Sequence, residues 1–63
     1  MDIFLKNSLD WGQEQGKGSM LWLQDDEAQE RWPMYLERGE DAYAEAKRQE
    51  TKGIKVLSVW NYF

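Results

Sequence analysis

The sequence of 63 residues contains no cysteine and no histidine. Without cysteine no disulfide can form, and without both residue types a structural zinc site lacks its usual ligands. Ser8, Ser19 and Ser58 have no imidazole that could activate them as nucleophiles. The segment "GQEQGKG", residues 12–18, is rich in glycine but does not match the phosphate-binding pattern G-x-x-x-x-G-K-[ST]. We therefore expect no enzyme, no catalytic residue, no metal site and no bound cofactor.

Clusters of basic residues and long apolar runs are also missing. The chain has 8 Lys and Arg against 12 Asp and Glu, which gives a net charge of −4. Proteins that bind nucleic acid directly draw their affinity from clustered Lys and Arg. No apolar run approaches the ~20 residues that span a bilayer, and the first residues lack the pattern of a signal peptide. We expect a cytoplasmic protein that binds neither nucleic acid nor a membrane directly.

Large aromatic side chains are the feature that the chain has in excess. Four Trp, three Tyr and two Phe make up 14% of the residues, and each can bury roughly 150–250 Å². A chain this short hides only about 60% of its unfolded surface, so it needs large side chains or a partner for stability. We expect one small domain over residues 1–63.

Two strands are predicted in the middle of the chain. "SMLWLQ", residues 19–24, contains four consecutive apolar residues, which is typical of a strand covered on both faces. "ERWPMYL", residues 30–36, alternates between two faces, and Pro33 places this strand at the edge of the sheet because proline cannot donate a ladder hydrogen bond. The polar "DDEAQ" between them has the length of a hairpin connection.

A helix and a third strand follow. In "RGEDAYAEAKRQETKG", residues 38–53, Glu40 and Asp41 fall in the expected first turn, basic residues come late, and Gly53 stands just past the end, which suits the helix dipole and a C-terminal stop. Ala42, Tyr43 and Ala46 form a narrow face that would let the helix lie close to a sheet. "IKVLSVWNYF", residues 54–63, is rich in β-formers and predicts the third strand.

These elements predict an α+β fold, a small three-stranded sheet in β-β-α-β order with one helix packed on one face. A right-handed crossover makes the second and third strands parallel, and the edge position of Pro33 gives the spatial order 2-1-3. The structure of residues 1–18 stays open. Phe4, Leu5 and Leu9 would share a helical face, whereas Ile3 and Leu5 also fit a strand, so this segment is either a flexible arm or a short structured arm. The second sheet face is covered either by this segment or by something else.

The tryptophans supply the first candidate binding residues. Trp22 and Trp32 are most simply core residues of the first two strands. Trp11 and Trp60, the latter together with Tyr62, are harder to bury in so small a fold. Either these aromatics complete the core under the N-terminal segment, or they form an exposed patch for a partner or a second copy. The sheet edges offer a further route, through strand addition.

Acidic residues supply the second candidate site. Asp25, Asp26 and Glu27 are consecutive at the hairpin tip, where a solvated turn is the simplest interpretation, and their spacing misses the Ca²⁺-loop pattern. Further acids follow near the helix start. If they share one face, they would form a negative stripe for a basic groove; these seven acids are Asp25, Asp26, Glu27, Glu30, Glu37, Glu40 and Asp41.

The run "WPMYLERGEDAYAEAKRQ" resembles the core of the small phage-encoded inhibitor of bacterial RNA polymerase, of the podovirus type. The resemblance covers mainly residues 31–60 and rests on Pro33, Tyr35, Glu37, Glu40, Asp41, Ala42, Ala46, Gly53, Ile54, Val56 and Val59. It implies a β-β-α-β fold and a polymerase-binding function. That family presents arginines on its last strand, where this sequence has Ser58 and Trp60, and an acid on its first strand, where this sequence has Gln24.

We therefore expect a non-enzymatic protein-binding module, encoded by a phage or mobile element, that inhibits a host enzyme. Its partner would be RNA polymerase or another nucleic-acid-processing enzyme in the host cytoplasm, contacted through aromatic anchors and steered by acidic residues, with nucleic-acid mimicry as one variant. The alternative is a structural module that forms a homodimer within a larger assembly. The predicted partner-binding residues are Trp11, Asp25, Asp26, Glu27, Trp60 and Tyr62.

Overall fold

Three strands form one antiparallel sheet with a helix on each face. The computed structural model describes residues 3–63. The elements, in chain order, are α1 (Ile3–Glu14), β1 (Ser19–Asp25), β2 (Glu30–Leu36), α2 (Ala42–Thr51) and β3 (Lys55–Asn61). The spatial order is β2-β1-β3, and β1 is antiparallel to both neighbours, so β2 and β3 run parallel to each other. The predicted α+β class and strand order are confirmed.

The central strand β1 has an apolar middle, Met20 to Leu23, because both of its faces are covered there. Met20, Leu21, Trp22 and Leu23 are each at most 4% exposed. Leu21 and Leu23 face α2 and join its core cluster. Met20 and Trp22 alternate with them and therefore face α1. Trp22 is a core residue, as expected, and Trp32 is half-buried against the same cluster that α2 covers.

Helix α2 lies close to the sheet because its buried side chains are small. Ala42 and Ala46 are buried together with Leu36. The prediction that Tyr43 shares this face is wrong: its side chain is 65% exposed, because one residue along a helix rotates the side chain by about 100°.

The ends of α2 have defined caps. The helix begins at Ala42, so Glu40 and Asp41 precede it instead of occupying its first turn, which corrects the predicted boundary. Asp41 is the N-cap, and its Oδ1 accepts hydrogen bonds from the backbone N–H groups of Tyr43 and Ala44 at 3.0 and 3.1 Å. At the other end Gly53 has φ +87°. Its N–H donates to Glu50 O, while the next N–H donates to Gln49 O, both at 3.0 Å. These two hydrogen bonds together form a Schellman motif, so the prediction that the helix ends just before Gly53 is confirmed.

The N-terminal segment forms helix α1 and covers the second face of the sheet. Positions 1 and 2 of the segment predicted as an arm lie outside the described residues. The helix packs on β1 and β2, and it turns Ser8 and Gly12 towards the sheet. The structured alternative for this segment is therefore the one observed. Within residues 3–63, no helix has the length and apolar character required to cross a membrane.

Candidate partner-binding surface

Two tyrosines hold α1 against the sheet. Tyr35 on β2 donates a hydrogen bond from its hydroxyl to Ser8 O at 2.7 Å. Tyr62, just after β3, donates from its hydroxyl to Leu9 O at 2.8 Å. Gly12 lies between the two rings, and a Cβ built on it would stand 2.8 Å from Tyr35 Cε1 and in contact with the Tyr62 hydroxyl. We call Tyr35, Tyr62 and Gly12 the tyrosine clamp. The clamp fixes the orientation of α1 on the sheet and thereby determines which of its side chains face solvent.

Tyr62, a predicted partner-binding residue, is half-buried in this clamp. Burial raises the pKa of its phenol above the ordinary value of 10.0, and the charges of Tyr35 and Asp10 raise the pKa further. Its hydroxyl is thus engaged inside the fold, with Leu9 O as the acceptor.

Two aromatic side chains of α1 are exposed on the same side of the helix. Phe4 is 56% and Trp11 46% exposed. They are seven residues apart, which corresponds to about two turns and roughly 10 Å along the axis. The Trp11 ring packs on Tyr35 with centroids 4.7 Å apart, and the Phe4 ring packs on Trp22 with centroids 5.7 Å apart. We call Phe4 and Trp11 the α1 aromatic surface; each ring rests on a second ring beneath it.

Trp60 lies elsewhere, on the edge strand β3. It is 37% exposed, pairs with Met20 of β1 and thus faces the same side of the sheet as α1. Its Nε1 donates to Ser58 Oγ at 3.0 Å. Trp22 pairs with Ser58 whereas Leu23 pairs with Val56, so Leu57 is an extra residue in a β-bulge. Leu57 is 40% exposed. We call the outer side of β3, with Leu57 and Trp60, the β3 edge.

Two of the three predicted acids at the hairpin tip accept hydrogen bonds within the turn itself. Asp25 Oδ1 accepts from Glu27 N at 3.0 Å and from Ala28 N at 3.4 Å. Asp26 accepts from the side-chain amide of Gln24. Among residues 3–63 no group of three ligating side chains is placed to hold a metal ion.

The predicted negative stripe is not formed. Asp25 and Glu30 face each other at one end of the β1–β2 pair, and Leu36 closes the other end. Glu37, Glu40 and Asp41 follow Leu36, so they lie about 20 Å from the tip, the length of a seven-residue strand. Their groups also have local roles, since Glu40 Oε2 accepts from Glu37 N at 2.7 Å and Lys17 pairs with Glu37. The acids therefore form two separate groups at opposite ends of the sheet.

No protein-family model, curated protein or solved structure matches this chain. The resemblance to the phage polymerase inhibitor therefore remains an expectation. Of the predicted residues, the structure places Trp11 on α1, Trp60 on β3 and the acids at the hairpin tip, so it does not bring them together in one site. Sequence reasoning missed Phe4 as a surface residue, although its spacing of seven from Trp11 is the signal that would have indicated a shared helix side.

Proposed function

We propose that this chain is a non-enzymatic protein-binding module that inhibits a host enzyme by covering a functional surface. The observation that carries the proposal is the α1 aromatic surface. A chain with 14% aromatic residues and few buried side chains leaves Phe4 and Trp11 about half exposed. Exposed aromatic residues grouped on one helix side are typical of protein interfaces.

Contacts with the sheet hold the α1 aromatic surface in place, which favours binding. Trp11 is held by its ring contact with Tyr35, and the helix beneath it is held by the tyrosine clamp. An anchor that is already ordered loses less conformational entropy when a partner binds. Removing a tryptophan anchor of this kind typically costs 2 kcal/mol or more, which is about a 30-fold loss of affinity.

Charge supports a basic partner surface more than nucleic-acid mimicry. The net charge of −4 favours encounter with a positively charged protein. A mimic of nucleic acid would place carboxylates in a continuous series, whereas the acids here stand at two ends of the sheet. Occlusion by packed aromatic side chains is therefore the mechanism that we favour, with bacterial RNA polymerase or another nucleic-acid-processing enzyme in the host cytoplasm as the partner.

The experiment compares two exposed aromatic residues on opposite faces. Tagged protein is incubated with bacterial lysate as wild type, as Trp11→Ala and as Tyr43→Ala. Tyr43 is the matched control because it is 65% exposed but lies on α2. Far-ultraviolet circular dichroism confirms that each variant is folded. In parallel, transcription by purified bacterial RNA polymerase is measured with increasing amounts of each protein.

We expect wild type and Tyr43→Ala to retain one host protein at a stoichiometric level and to inhibit its activity, and Trp11→Ala to lose both by about 30-fold. Equal retention by the two variants would exclude the α1 aromatic surface as the binding site. Absence of any stoichiometric partner would contradict the proposed function for the lysate tested, and normal transcription at saturating protein would exclude RNA polymerase as the target.

The second candidate function is a structural module that forms a homodimer. It is favoured by a different observation, the open edge of β3.

A further inference from the structure

The two outer edges of the sheet differ in how well they are protected against strand pairing. The edge strand β2 carries Pro33 and the charged residues Glu30 and Arg31. Proline and charges are common devices that prevent edge-to-edge association. The other edge strand, β3, has no proline and a single charged residue, Lys55. Within the part of the chain that the structure describes, no strand pairs with the outer side of β3.

We propose that the β3 edge pairs in antiparallel orientation with the β3 edge of a second copy of this chain. The pairing joins two three-stranded sheets into one sheet of six strands around a two-fold axis. Such an isologous contact is the commonest geometry of soluble homo-oligomers. The inference goes beyond the proposed inhibitor function, because it concerns a different surface and a different partner, and it gives the second candidate function a defined interface.

The side chains of β3 are complementary to those of β3 in a second copy of the chain. Ser58 and Trp60 face the α1 side of the sheet, since they pair with Trp22 and Met20, whereas Val59 faces the α2 side with Leu21. Residues directly opposite each other in an antiparallel pair point to the same face. A two-fold axis at Val59 places Trp60 of each copy opposite Ser58 of the other, a large side chain against a small one. The side chains of the two copies are then complementary on both faces of the sheet. The bulge at Leu57 limits regular pairing to the residues after Leu57.

Charge selects the antiparallel arrangement over the parallel one. In parallel pairing the two Lys55 side chains would be neighbours. Around a two-fold axis at Val59, position 55 lies opposite position 63, so the two lysines are eight residues, or about 26 Å, apart. This distance exceeds the Debye length of about 8 Å at physiological ionic strength, and their repulsion is screened.

The available area predicts a weak dimer. A standard interface buries about 800 Å² per partner, which would be roughly a fifth of the 4474 Å² surface of this chain. Because the bulge limits regular pairing around Val59 to residues 58–60 of each copy, the paired stretch is only about 10 Å long, and only Leu57 and Trp60 add large apolar area beside it. The contact is therefore smaller than the standard size, and we expect a dissociation constant on the order of 10–100 µM.

Pairing through β3 leaves the α1 aromatic surface accessible. Helix α1 packs on β1 and β2, and Trp11 rests on Tyr35 of β2, the strand farthest from the two-fold axis. Each dimer would present two such surfaces on the same face of the joined sheet. Dimerisation and partner binding can therefore be tested separately.

The first test measures mass by sedimentation equilibrium from about 5 to 500 µM protein, a range set around the expected dissociation constant. Wild type, Trp60→Lys and Trp11→Ala are compared after circular dichroism has shown each to be folded. A lysine on an edge strand opposes pairing, so we expect Trp60→Lys to weaken the dimer at least about 10-fold. Trp11→Ala, the matched tryptophan variant, should leave the dissociation constant within about twofold of wild type.

The second test measures the arrangement of the dimer. Because the chain has no cysteine, Asn61→Cys and Lys55→Cys each accept one spin label at an exposed position. The proposed register places the two labels about 13 Å apart at position 61 and about 26 Å apart at position 55, before the label arms are added. Equal separations at both positions would contradict antiparallel pairing about Val59.

A monomeric mass up to the highest concentration would overturn the inference. So would a dimer that Trp60→Lys leaves intact. Neither result affects the proposed function, which depends on retention of a host protein by wild type and its loss in Trp11→Ala.

Discussion

Replacing Gly12 by alanine should destabilise the protein, although alanine is the better helix former. In an unconstrained helix the change would stabilise by about 1 kcal/mol. Here the new Cβ would stand 2.8 Å from Tyr35 Cε1, while ordinary van der Waals contact begins at 3.4 Å, so the helix and the ring must separate by at least 0.6 Å. The same separation would lengthen the two clamp hydrogen bonds from 2.7 and 2.8 Å.

The expected net effect follows from these opposing terms. Weakening two partly buried hydrogen bonds costs about 1 kcal/mol each, and crowding a packed site adds about 1–3 kcal/mol. After the propensity gain is subtracted, we expect the free energy of unfolding to fall by about 2–4 kcal/mol. For a domain of this size, that corresponds to a melting temperature about 8–30 °C lower.

Urea unfolding followed by tryptophan fluorescence measures the change, and Gln13→Ala serves as the control at an exposed position of α1. A double-mutant cycle with Tyr62→Phe isolates the clamp. Removing the hydroxyl removes the atom that the new Cβ would meet first, so Gly12→Ala should cost less in the Tyr62→Phe background by about 0.5–1 kcal/mol. If Gly12→Ala instead stabilises the protein by about 1 kcal/mol, Tyr35 and Tyr62 do not clamp α1 to the sheet.

Two further predictions concern single side chains. Asp41→Ala removes the N-cap of α2 and should lower the free energy of unfolding by about 1 kcal/mol. Asp41→Asn retains an acceptor and should lower it by less. Thermal unfolding of both variants measures the two changes. For Tyr62 the folded-state pKa is raised above the unfolded value, mainly by burial. Its contribution to stability is therefore fully present below pH 10.0 and is lost as the pH rises through the folded pKa. Denaturant unfolding across alkaline pH should show this loss in wild type and a smaller one in Tyr62→Phe, and identical profiles would contradict it.

The tyrosine clamp and the two exposed surfaces belong to one arrangement. The clamp sets the position of α1, which determines that Trp11 rests on Tyr35 with part of its ring exposed. Because α1 packs on β1 and β2, Trp60 on the β3 side of that face stays partly exposed. The proposed partner surface and the proposed dimer edge thus result from where a single short helix lies on a three-stranded sheet.

Local signals in the sequence are sufficient to predict the three strands and the C-terminal end of α2. The apolar run of residues 19–24 indicated a strand covered on both faces, and Pro33 indicated an edge, because both follow from which backbone and side-chain groups can be buried. Gly53 indicated the end of α2 because only glycine adopts its positive φ without strain. The same signals gave the wrong start for α2, since an acid before a helix and an acid in its first turn both suit the dipole.

The candidate partner-binding surface is less predictable from the sequence than the sheet is. The contacts that order α1 come from residues distant along the chain: Tyr35 is 27 positions from Ser8, and Tyr62 is 53 positions from Leu9. The expected acidic stripe depended on whether the hairpin tip and the α2 start share a face, and the length of β2 separates them. The sequence predicts that Trp11 and Trp60 are hard to bury, but their assignment to two different surfaces depends on the position of α1.

The sequence by itself thus determined the class of fold, the order of the strands and the exclusion of the usual histidine and cysteine chemistry, because these depend on residue type and on near neighbours. Only the tertiary structure decided that the N-terminal segment is a helix held by two tyrosines, that Phe4 and Trp11 form one surface, and that the β3 edge is open. These features depend on which distant segments come into contact, and that is decided by the packing of the whole chain.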